Sequence, residues 1–197
     1  REVVADEATG KAYASVLVSG GRDDPSPKPQ QIWVIDGKKK AVERAISVDT
    51  KMLTGIAVDS RGKRLFATGL GANEVLAIDI KSGKVTSRWP SGGEGPINVA
   101  YDDTGKRLFV VNQKSGDLTV LDAKTGAQKA KVPTGEGALS VAYNPGKQQV
   151  YVANRTAGTV SVIDARSYAS LGNLTTGTFP QTLAIDKAAN TVFVSNK

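Results

Sequence analysis

Val141–Thr182 reads VAYNPGKQQVYVANRTAGTVSVIDARSYASLGNLTTGTFPQT and decides the fold. It holds four short apolar runs, Val141–Tyr143, Val150–Ala153, Val160–Ile163 and Ala169–Leu174. Turn-rich clusters separate them at Asn144–Lys147, Arg155–Thr159 and Asp164–Ser167. Short β-branched runs broken by Asn, Gly and Asp predict four strands joined by tight turns in one antiparallel sheet.

The same pattern recurs on either side. The run before the first turn is Val3-Val4-Ala5-Asp6, then Ile56-Ala57-Val58-Asp59, Val99-Ala100-Tyr101-Asp102, Val141-Ala142-Tyr143-Asn144 and Leu183-Ala184-Ile185-Asp186. From Asp59 onward the copies are 43, 42 and 42 residues apart. After the turn comes an aromatic column, Tyr13, Phe66, Phe109, Tyr151 and Phe193. The third strand ends in Ile35-Asp36, Ile78-Asp79, Leu121-Asp122 and Ile163-Asp164, and the fourth contributes Ile46, Trp89, Val132 and Leu174. Four strands in each unit of this period predict an all-β fold, a β-propeller of four-stranded antiparallel blades. The small second residue of the first run (Ala57, Ala100, Ala142, Ala184) suits an innermost strand, where blades converge and space is least.

The interval from Asp6 to Asp59 is 53 residues, and its excess falls at Ser19–Gln31, SGGRDDPSPKPQQ. Pro and Gly with no large apolar residue predict a loop extension between the second and third strands of the first unit. Residues 1–197 therefore read as one propeller domain, with units at about 1–53, 54–96, 97–138, 139–180 and 181–197. About four and a half blades are covered. An arc of that size leaves strand edges and blade faces unpaired, so part of a longer chain is expected, with a small self-closing ring carrying a spare half-blade as the alternative.

Composition removes several chemistries. With no Cys and no His, the chain can build neither a disulfide, a Cys/His zinc site nor a His-based triad. No apolar run approaches the roughly 18–20 residues needed to span a bilayer, so membrane insertion is not expected. The formal charge of +7 favours anionic partners such as nucleic acid, or simply gives a basic, soluble surface.

Three second-strand ends carry a recognisable motif. Tyr151-Val152-Ala153-Asn154, Phe109-Val110-Val111-Asn112 and Phe193-Val194-Ser195-Asn196 resemble the Tyr-Val-Thr-Asn motif of the YVTN-repeat β-propeller family, whose repeats are WD40-like. Gly158–Asp164 is similar to that family's third strand, and Lys51–Phe66 resembles a bacterial periplasmic member. Two units depart from the motif, with Tyr13-Ala14-Ser15-Val16 and Phe66-Ala67-Thr68-Gly69. The resemblance implies a seven-bladed ring, a periplasmic location, no enzymatic activity and binding of single-stranded DNA.

In such an architecture the strand 2–3 loops, the inter-blade loops and Ser19–Gln31 share one face, and the hairpin turns occupy the other. The hairpin-turn face carries many cations, including Lys63, Arg64, Lys106 and Arg107, but they alternate with Asp residues and read as solvated turn ends. The loop face carries Arg22, Lys28, Lys51, Lys114, Arg155 and Lys197 with fewer carboxylates. Its loops Gly92–Gly95 and Gly135–Gly137 could offer backbone N–H groups to a phosphate, or merely turn the chain. Asn112, Asn154 and Asn196 are expected to bond strand-end backbone. Binding to single strands needs cations and aromatic platforms, and Trp33, next to the insertion, is the stacking candidate. The candidate nucleic-acid or ligand-binding residues are therefore Arg22, Lys28, Trp33, Lys51, Lys114 and Arg155.

The expected function is a non-enzymatic binding scaffold for single-stranded DNA. The alternative is a protein-interaction platform using the Ser19–Gln31 loop. A lactonase- or quinoprotein-type enzyme needs ionisable or metal-binding residues at the hub, where Gly55, Asn98, Ser140 and Thr182 are neutral. No catalytic residue, metal or cofactor is expected.

Overall fold

The computed structural model describes residues 2–16, 29–186 and 188–197. These form eighteen strands and no helix. The first sheet comprises β1 (Val3–Asp6), β2 (Lys11–Val16), β3 (Gln30–Asp36) and β4 (Ala41–Val48). The second comprises β5 (Leu53–Asp59), β6 (Arg64–Gly69), β7 (Glu74–Asp79) and β8 (Val85–Pro90). The third holds β9 (Pro96–Asp102), β10 (Arg107–Asn112), β11 (Asp117–Asp122) and β12 (Gln128–Pro133). The fourth holds β13 (Ala138–Asn144), β14 (Gln149–Asn154), β15 (Thr159–Asp164) and β16 (Ser170–Thr175). A two-stranded sheet of β17 (Pro180–Asp186) and β18 (Thr191–Asn196) follows. Each sheet is an antiparallel meander, so the blade pattern read from the repeats is the observed one.

Consecutive first strands β1, β5, β9, β13 and β17 contact one another in turn and surround the hub. Ala57, Ala100, Ala142 and Ala184 stand directly opposite Phe66, Phe109, Tyr151 and Phe193. The small column is thus set by its cross-strand partner as well as by the convergence of the blades. Each aromatic faces the next blade: Tyr13 packs with Ile56 and Leu76, Phe66 with Val99 and Leu108, Phe109 with Val141 and Val150, Tyr151 with Leu183. The core is therefore a series of layers between sheets, which is why the strands are apolar on both faces. Phe193, in the same column, is 59% exposed because only the two-stranded sheet carries it. Leu174, placed with Ile46, Trp89 and Val132 in the fourth-strand column, is likewise exposed, since the sheet that follows has no outer strands to cover it.

The strand-ending Asp residues cap the turns. Asp36 accepts hydrogen bonds from Lys38 N and Lys39 N, Asp122 from Lys124 N and Thr125 N, and Asp164 from Arg166 N and Ser167 N. These bonds, led by that from Lys124 N, hold the Asp122 carboxyl well below its ordinary range.

Two turn cations depart from the expectation of solvated ends. Arg64 donates to Asp59 at 2.8 Å and to the Ala123 carbonyl of the next blade at 3.0 Å. Arg107 repeats the contact with Asp102 and reaches the Ala165 carbonyl one blade on. Both are sheltered and tie neighbouring blades together rather than standing free in solvent.

Candidate ligand-binding face

The loop face is built by a repeated backbone zipper between each inter-blade loop and the following strand 2–3 turn. Leu70 N donates to Met52 O, Gln113 N to Gly95 O, Arg155 N to Gly137 O and Lys197 N to Thr178 O, at 2.9 to 3.2 Å. This fixes the loops as a rim around the hub.

In the first glycine loop, Gly92–Gly95, the N–H groups of Glu94 and Gly95 are taken up by the protein itself. Glu94 N donates to Ser115 Oγ at 2.9 Å and Gly95 N to Asn73 Oδ1 at 2.8 Å. A Cβ on Gly93 or Gly135 would lie 2.5 Å or 2.7 Å from the side chain of Asn112 or Asn154, so close packing is what these positions demand. Asn112 and Asn154 are fully buried and bond side chains of the third strand rather than strand-end backbone. Asn112 Nδ2 donates to Asp117 and Thr119, and Asn154 Nδ2 to Thr159 and Ser161.

Lys51, Lys114 and Arg155 lie exposed on this face, each on a different blade boundary. None makes an ion pair with another described residue. Exposed Glu94 and Glu136 share the face, so its charge is mixed. Arg22 and Lys28, with most of Ser19–Gln31, lie outside the described residues. Trp33 is not gathered with the cations. It sits mid-strand on β3, opposite Ala14 and Ala45, on the open flank of the first sheet. Its counterparts Leu76, Thr119 and Ser161 are covered by the preceding blade, whereas Trp33 is 38% exposed and donates to Gln31 Oε1 at 3.1 Å.

The aromatic of the loop face is Phe179, which no repeat column singles out. The residue before four of the five first strands is left-handed: Met52 (φ 59°), Gly95 (φ 67°), Gly137 (φ 72°) and Phe179 (φ 51°). Glycine is the unstrained choice there, yet two units place large apolar side chains, with Met52 43% and Phe179 47% exposed. The Arg155 guanidinium lies 5.2 Å from the Phe179 ring centre. Phe179 thus combines an exposed ring, a backbone conformation that disfavours a large side chain, and an arginine over its face.

Inside the rim lies a cavity of about 630 Å³ lined by first-strand starts from all five sheets, including Glu2, Thr54, Asn98, Ser140, Gln181 and Thr182. A register shift in each of β5, β9, β13 and β17 leaves Thr54, Ile97, Leu139 and Gln181 out of the ladder and turns them toward the hub. Glu2 supplies the ionisable group that the expectation of a neutral hub missed. Its Oε2 accepts from Ile56 N and its Oε1 from Asn98 Nδ2, both at 3.1 Å. Burial pushes its carboxyl up to about 7, against the lowering effect of those two hydrogen bonds. A lone Glu just before a short first run carries no sequence signal of this role. Only the convergence of β1, β5 and β9 at the hub brings it to Asn98, 96 residues away.

No family model matches the chain. It is 41% identical over 88 residues to the protein named YncE of Escherichia coli O157:H7, a match covering 45% of this chain and 22% of that one. YncE of Salmonella typhi is 38% identical over 88 residues, with the same coverage. The resemblance seen in the repeats thus leads to YncE-type proteins, of which the matched stretch spans about a fifth. Among solved structures, the β-propeller domain of Cps50 (Swd1) from Myceliophteria thermophila superposes with a TM-score of 0.74 at 12% identity, over 98% of this chain and 60% of that one. Hydrazine synthase of Kuenenia stuttgartiensis gives a TM-score of 0.70 at 20% identity, over 76% of this chain and 43% of that one. These two establish the propeller fold.

Proposed function

We propose that the chain belongs to a non-enzymatic, periplasmic β-propeller scaffold that binds single-stranded DNA on its loop face. The carrying observation is Arg155 stacked over exposed, left-handed Phe179. Single strands are held by cations that track phosphates and by flat groups on which bases stack, and an Arg–aromatic pair supplies both. Lys51 and Lys114 extend the charge along the same rim. The zippered loops hold these side chains on a rigid support, which lowers the entropy lost on binding.

The experiment is retention of a labelled oligodeoxythymidine across a salt series. Each phosphate contact neutralised by Lys51, Lys114 or Arg155 steepens the decline of log affinity with log salt by roughly 0.7 for a single strand. Substituting all three with Gln is expected to flatten the slope by about two units. Absence of retention at low salt ends this reading.

A further inference from the structure

We infer that the axial cavity is a binding site for a small organic ammonium, seated against the Glu2 carboxylate. This goes beyond the loop-face reading and does not depend on it.

The charge pattern comes first. Four of the chain's sheltered carboxylates are matched with cations, Asp59 with Arg64, Asp102 with Arg107, Asp117 with Lys131 and Glu74 with Arg88. Buried Asp6 is held by the hydroxyls of Thr9 and Ser60 in a closed turn rather than at a cavity. Glu2 has no such partner among the described residues, although the chain carries a net charge of +7. Its two oxygens are held by Ile56 N and Asn98 Nδ2, which leaves further lone pairs for a ligand. A positioned carboxylate with no ion pair to a described side chain, at the wall of an open cavity, is complementary to a positive group.

The remaining lining selects among cations. A bare metal ion fits poorly, because no group of three His, Cys, Asp or Glu side chains stands together among the described residues, and calcium takes six to eight oxygens with several carboxylates. The volume of about 630 Å³ is that of a small-molecule site. Thr54, Ser140, Gln181 and Thr182 add neutral hydrogen-bonding groups, and Ile97, Leu139 and Leu183 add apolar wall. One negative charge, neutral polar groups and apolar surface match an ammonium on a short carbon chain. The four register shifts that turn side chains into the hub make this lining a built feature of the blades.

The test titrates isotopically labelled protein with n-butylammonium chloride and, in parallel, with n-butanol, its neutral counterpart, and reads the backbone amide signal of Ile56. The ammonium is expected to shift this signal saturably and the alcohol to leave it in place. In Glu2→Gln, which keeps the shape and removes the charge, ammonium affinity is expected to fall about tenfold or more. Equal responses to the two probes, no response to either, or unchanged affinity in folded Glu2→Gln would each overturn the proposal. Comparing the two probes on the unaltered chain decides between these outcomes even where the variant fails to fold.

Discussion

Arg107 grips Asp102 through Nε at 3.1 Å and Nη2 at 2.5 Å, and with its remaining nitrogen reaches the carbonyl of Ala165 in the next blade. The pair is sheltered, with side-chain exposures of 11% and 1%. A planar guanidinium can serve two acceptors on different sheets at once, which a lysine ammonium cannot do with the same geometry. The clasp closes the hairpin-turn end of a blade boundary that is filled by Phe109 and Val141.

Arg107→Met is therefore expected to lower stability by about 3–5 kcal/mol, the cost of leaving a buried carboxylate unpaired. Arg107→Lys should recover only part of this. Arg64→Met, at a 29% exposed copy of the same clasp, should cost less. Urea midpoints of the three variants check the order, and equal midpoints for all three would contradict it.

The blades are legible in the sequence because every unit states them again: the Ala column, the aromatic column and the terminal Asp each have a partner one period away. The clasps are not, because their acceptors are backbone carbonyls 59 and 58 residues downstream, and a carbonyl has no residue type. Trp33 misleads for a related reason. Its column holds Leu76, Thr119 and Ser161, and whether such a position is buried depends on the neighbouring sheet rather than on the residue. Phe179 is hidden by its neighbours in the repeat. Only the backbone reveals that it occupies a position where the other loops use Gly95 and Gly137.

That conformation separates the roles of the Phe179 backbone and ring. Phe179→Ala and Phe179→Gly both remove the ring, and each is expected to weaken oligonucleotide binding by roughly 1–3 kcal/mol, the worth of one stacked base. Only the glycine relieves the left-handed strain, so Phe179→Gly should be more stable than Phe179→Ala by about 1 kcal/mol. Melting and binding curves on the two variants check both statements. Undiminished binding by either would remove Phe179 from the interface.

Gly55 is a steric requirement of the hub. A Cβ there would lie 2.6 Å from Asn98 Cα, a backbone atom of the adjoining strand. Gly55→Ala must push β9 away from β5 and is expected to cost about 1–3 kcal/mol, as other overpacked sites do. The same shift draws Asn98 away from Glu2, so the Ile56 and Asn98 amide signals should move together with the loss of stability. Gly158→Ala, where the nearest atom is 4.0 Å away, carries only the local strain of its left-handed backbone (φ 65°) and should leave both signals in place.

Glu2 makes stability depend on pH in a defined window. Burial raises its carboxyl from 4.5 in the reference state to about 7 in the fold. Between these values the folded chain binds more protons than the unfolded one, so unfolding releases protons and stability falls as pH rises. Below 4.5 both states are protonated and above about 7 both are ionised, and the contribution is flat at each end. Acidic turn residues such as Asp59 and Asp164 have lowered values, so their effects appear at more acidic pH and with the opposite sign. Glu2→Gln isolates the hub group. The unaltered chain should lose stability relative to the variant between about pH 5 and pH 7.5, and parallel urea midpoints across that range would refute a desolvated carboxylate at the hub.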